Sequence, residues 1–149
     1  MLIKKGTLIL VADGAKAILY QNDGGVDAIA LTVVWQEVLD NPATHQQGTD
    51  TPGRTQSSVG TGRSSYSETD LHQAAEDAFA KETAETLEEG LGQNPDSDLI
   101  IMAAPRLLGI IRNHYGRLTR EQLVAEIDKD LTNMPKDQVE GFLSTHVAT

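Results

Sequence analysis

Two apolar runs, TLILVAD from Thr7 to Asp13 and AKAILYQ from Ala15 to Gln21, meet at Asp13-Gly14, and this junction restricts the fold more than any other part of the chain. β-Branched and aliphatic residues on both sides of an Asp-Gly pair signal a tight antiparallel hairpin. After the turn NDGG, the run AIALTVVWQEV from Ala28 to Val38 reads as a third strand, with Ile29, Leu31 and Val33 on one face and Ala30, Thr32 and Val34 on the other. Strands of this kind need a covering layer. Ser67-Glu68-Thr69-Asp70 resembles a helix start, and Leu71, Ala75, Ala78, Phe79, Thr86, Leu87 and Leu91 recur at helical spacing, with Gly90 and Gly92 as stop signals. DLIIMAA, from Asp98 to Ala104, reads as a buried strand, and Pro105 opens a second helix through Leu107, Leu108, Ile111 and Tyr115, closed by Gly116. Leu123, Ala125 and Ile127 suit a strand parallel to Asp98–Ala104, and a last short helix is expected from Pro135 to Leu143. The expectation is one α/β domain over residues 1–149: a mixed five-stranded sheet with about three helices packed on it.

Between the third strand and the first long helix lies GTDTPGRTQSSVGTGRSSYSETD, Gly48 to Asp70. From Gly48 to Ser67 only Val59 and Tyr66 are appreciably apolar, apart from Pro52, so a flexible Gly/Ser/Thr-rich loop is expected over about residues 40–68. Its Arg54 and Arg63 read as anchors for phosphates or for carboxylates of a partner, with Gly60, Gly62 and Tyr66 completing a binding loop. The chain's 149 residues carry 12 Lys and Arg against 22 Asp and Glu, a net charge of −10 that opposes broad adhesion to nucleic acid or anionic membranes. The charge is segregated, however. Glu68 to Asp98 holds ten acids against Lys81 alone, whereas Leu99 to Arg120 contains Arg106, Arg112, Arg117 and Arg120 and no acid. A basic edge facing away from the acidic helix is therefore expected.

There is no cysteine, which excludes disulfides, thiolate metal sites and a cysteine nucleophile. The apolar run near the N-terminus ends at Asp13-Gly14, too short for a secretory core, and no stretch approaches the ~20 apolar residues of a membrane span. A cytoplasmic protein is expected. His45, His72, His114 and His146 lack the i, i+4 spacing of a helical zinc site, and the loop serines lack a nucleophile elbow. Asp13 with the alternating Glu126, Asp128 and Asp130 offers one metal reading: carboxylates holding Mg²⁺ for nuclease chemistry, set against a plain solvated strand face. The acidic helix offers a third reading, without metal: a protein-protein module for a basic partner.

Five segments in order, LILVADGAKAILY, PGR, GRSSYSETD, APRLLGIIR and AEIDKDLTNMP, resemble the bacterial host attachment protein family, described as required for attachment to host cells. That family is similar in fold to the middle domain of archaeal and eukaryotic peptide-chain release factors, which places a long loop before its first long helix. In release factors this loop carries Gly-Gly-Gln for peptidyl-tRNA hydrolysis. Here Gly60-Thr61-Gly62-Arg63 stands in that region and Gly-Gly-Gln is missing. The resemblance thus implies a non-enzymatic domain, without a cofactor, whose loop and arginine edge face RNA or the ribosome, with an indirect role in attachment.

Overall fold

The computed structural model describes the backbone of residues 1–39 and 56–147, and side chains over 1–39 and 71–147. Strands β1 (Leu8–Ala12), β2 (Lys16–Asn22), β3 (Leu31–Val38), β4 (Leu99–Ala103) and β5 (Leu123–Ile127) form one sheet in the order β3-β2-β1-β4-β5. β1 pairs antiparallel with β2 and parallel with β4, β3 is antiparallel to β2, and β5 is parallel to β4. The Asp-Gly hairpin forms where the sequence puts it. Asp13 Oδ1 accepts from the amides of Ala15 at 2.8 Å and Lys16 at 2.7 Å, and the Asp13 amide donates to the Lys16 carbonyl at 2.8 Å.

The two central strands are covered on both faces, which explains their unbroken apolar runs. Leu8, Leu10 and Ala12 of β1 face a layer made by α1 (Gln56–Gln93) and α2 (Pro105–Ile111), through Phe79, Ala80, Ala84, Leu87, Leu91, Leu107, Leu108 and Ile111. Ile9 and Val11, with Ile100 and Met102 of β4, face the opposite layer, where Leu131, then Val139 of α4 (Lys136–Phe142), then Leu143 close the core. Each aliphatic side chain so buried contributes about 1.5–3 kcal/mol relative to exposure. Asn22, fully buried, ties the surroundings together: its Nδ2 donates to the carbonyls of Ile3 and Lys4, and its Oδ1 accepts from the amides of Gly24 and Ala30. Gly6, whose φ of 94° suits glycine alone, lets the incoming chain turn so that its amide reaches the Asn22 carbonyl at 2.7 Å.

The elements depart from the sequence reading at four places. The long helix begins at Gln56, not Ser67, so residues 56–68 of the expected loop have helical backbone, while residues 40–55 lie outside the described residues. It also continues through Gly90 and Gly92 to Gln93; the stop comes at Asn94, whose amide bonds Leu91 and whose Nδ2 bonds the Gly90 carbonyl at 3.0 Å. The second helix ends at Ile111 and passes through a 3₁₀ turn, Arg112–His114, before Gly116 starts an unexpected helix, α3 (Arg117–Gln122). In β3 a bulge opposite the Leu19/Tyr20 step inserts an extra residue, so that the face alternation read from Leu31 does not persist past Val34. Four α-helices, not about three, therefore accompany the five-stranded sheet among the described residues.

Candidate functional site

The carboxyl ends of parallel strands are where open α/β sheets usually place ligands. Here the β1 end is the Asp13-Gly14 turn, and α1 crosses above it. Asp13, Gly14, Leu39, His72 and Glu76 line a cleft of about 360 Å³. A smaller pocket of about 140 Å³ shares Gly14 and Glu76 with it and reaches Ala104, Arg106 and Ile110. Gly14 lies close under the Glu76 carboxylate: a Cβ there would be 3.2 Å from Glu76 Oε2. Arg106 Nη2 sits 2.9 Å from Glu76 Oε1, a charge contact not aligned as a hydrogen bond.

That ion pair changes the picture of the basic edge. Arg106 turns toward the acidic helix instead of away from it. Arg112 bonds Glu126 Oε1 through Nε at 3.0 Å and Nη2 at 2.7 Å, and Arg117 Nη1 lies 3.2 Å from Glu121 one helical turn on. Arg120 is exposed and forms no ion pair among the described residues. Three of the four arginines are thus already matched to carboxylates, each in a solvated pair of small net stabilisation. Such pairs are weak enough for a phosphate to compete with them.

Of the binding-loop residues, Arg54 lies outside the described residues. Gly60, Gly62, Arg63 and Tyr66 belong to the helical backbone at the start of α1. The segment is thus a helix opening where a loop was expected, in a stretch whose glycines and serines are poor helix formers.

The four carboxylates of the metal reading do not form one site, and among the described residues no three potential metal ligands gather. Glu126 is engaged by Arg112 and by the Tyr115 hydroxyl, which donates to its Oε2 at 2.6 Å. The Arg112 hydrogen bond, then that of Tyr115, holds Glu126 below the ordinary carboxylate range against the opposing effect of burial, while burial and Glu126 push the Tyr115 phenol up. Asp13 is occupied by the hairpin amides. Its Oδ2 is 2.9 Å from the Thr132 hydroxyl, which is also 2.6 Å from Asp130 Oδ1, so Thr132 staples the two loops. Asp128 is exposed.

The residues that build this side of the molecule most firmly are ones the sequence reading did not single out. Glu88, within α1, accepts from the amides of Leu118 at 2.8 Å and Thr119 at 2.9 Å and from the Thr119 hydroxyl at 2.9 Å, capping α3 from another helix. Burial alone would raise its pKa, yet these bonds hold it below the usual glutamate value. Gly116 makes room for that carboxylate, because a Cβ there would fall 2.4 Å from Glu88 Cδ. Neither Glu88 nor Glu76 stands out from its acidic neighbours in sequence; the only trace is a helical run with acids on the side that meets Arg106 and Gly116.

A mixed sheet with a parallel β1-β4-β5 half and a long helix across it defines a single α/β domain. The family model of bacterial archaeo-eukaryotic release factor family 12 matches residues 6–143, and the chain belongs to that family. No curated protein matches the chain significantly.

Proposed function

We propose that the chain is a non-enzymatic binding domain that contacts RNA of the translation machinery through the segment from Arg54 to Tyr66, with the arginine edge flanking it. The observation that carries this reading is the length of α1. The helix runs for 38 residues, and among its described side chains, from Leu71 on, the first buried one is Phe79, while Leu71, His72, Gln73 and Ala74 are exposed. The backbone of this helix extends upstream to Gln56 and carries Arg63 and Tyr66, in a family named for archaeo-eukaryotic release factors. Arg120 adds a cation free of carboxylate pairing among the described residues, and Arg106, Arg112 and Arg117 add cations whose exposed pairs can open.

On this reading the protein acts in the cytoplasm, in keeping with the lack, among the described residues, of any helix long and apolar enough to cross a membrane. Its bearing on attachment to host cells is then indirect, through translation of other proteins. The test is co-sedimentation of tagged protein with ribosomal particles on a sucrose gradient at low and high salt. Wild type should travel with the particles and lose them as salt rises, while Arg54→Ala with Arg63→Ala should stay at the top with an unchanged thermal midpoint. Wild type that never enters the particle fractions at low salt overturns the proposal.

A further inference from the structure

The sheet has two edges, and they differ. β5 is five residues long and exposes Val124, whereas β3 spans eight residues and leaves Val33 52%, Val34 48% and Val38 60% exposed. Within LTVVWQEV the only charge is Glu37, and there is no lysine or proline, the residues that usually blunt such an edge. The hydrogen bonds at its two ends fix which backbone groups look outward. The Leu31 amide donates to Glu140 Oε2, away from β2, and the Leu39 amide donates to the Ala15 carbonyl, toward β2. Antiparallel alternation between these points, allowing for the bulged residue, turns the N–H and C=O of Val33, Gln36 and Val38 away from the sheet. Glu140 already closes the edge at Leu31, so among the described residues the open stretch is Val33 to Val38.

We infer that this stretch is the contact of a two-fold homodimer, in which β3 pairs antiparallel with β3 of a second copy to make one continuous sheet. The open stretch matches itself. An axis through Gln36 sets Gln36 against Gln36 of the second copy and Val33 against its Val38, so the outward backbone groups meet outward groups along the whole stretch. Glu37 then lies opposite the Val34-Trp35 bulge of the second copy, and no like charges face each other. Val33 and Val38, which share the face of Ile18 and Tyr20, form two symmetric apolar pairs across the junction. A peptide of unrelated sequence would gain the backbone bonds but not this repeated apolar match.

Sedimentation velocity on the full chain over a range of concentrations tests the inference. Wild type should show a species of twice the monomer mass that grows with concentration. Val33→Lys with Val38→Lys sets lysine against lysine twice and should weaken association by about tenfold or more. Val33→Lys with Val38→Glu sets opposite charges across each pair and should restore the dimer. Both positions are solvent-exposed, so the thermal midpoint of the monomer should be unchanged in each variant. A chain that stays monomeric at every concentration overturns the inference, as does a dimer indifferent to the double-lysine change. A dimer abolished instead by Val124→Lys places the contact on β5 and overturns it equally.

Discussion

Glu88 lies in the body of α1, yet its carboxylate is the N-terminal cap of α3, and Gly116 is the residue that lets it in. Gly116→Ala would drive a methyl into the carboxylate, so we expect a loss of about 2 kcal/mol or more, read as a lower urea midpoint with an unchanged slope. The same site sets a pH dependence. Glu88 and Glu126 both titrate below the ordinary value of 4.5, so their stabilisation is complete above that value and is lost as pH falls through the folded-state values. Unfolding free energy should therefore drop on going from about pH 6 to about pH 3, and Glu88→Gln should flatten that drop while lowering stability at the upper end. Gly116 was legible as a helix punctuation mark, but as a stop and not a start. The reason is physical: the carboxylate that caps α3 is 28 residues upstream of Gly116 in another helix, and no local pattern encodes it.

At the level of elements, the strands were readable because their signals are local. Asp13-Gly14 specifies the hairpin, and Leu99–Ala103 followed by Pro105 specifies a strand turning into a helix. The arginine edge was readable as composition only, since its pairing with Glu76, Glu121 and Glu126 depends on which elements the sheet brings together. The opening of α1 was not readable, because Gly60 and Gly62 each disfavour helix by about 1 kcal/mol relative to alanine. That disparity supplies a test. Gly60→Ala with Gly62→Ala should deepen the far-ultraviolet helical signal and slow proteolysis between residues 56 and 70. Proteolysis no slower than in the wild type would mean that the helix does not extend there in solution.

For the whole molecule, the order of strands fixes where rigidity resides. β1 and β4 are flanked on both sides and their residues are 0–1% exposed. Amide exchange measured residue by residue should therefore be slowest at Leu8–Ala12 and Leu99–Ala103, and faster along the exposed turn Leu71–Ala74 of α1 than from Phe79 on. Equal protection along all of α1 would show that its upstream turns are packed in the free protein.

The parallel pairing of Leu8 with Leu99 and Ala12 with Ala103 also dictates a schedule. A chain made from its N-terminus completes the hairpin early, but the neighbour that closes the other side of β1 is synthesised about ninety residues later. Throughout that interval the strand destined for the centre of the sheet is itself an edge, entirely apolar and open to pairing. A nascent chain paused before Leu99 is thus the form of this protein most in need of a chaperone, and the long helix, made in between, is the one element available to shield it.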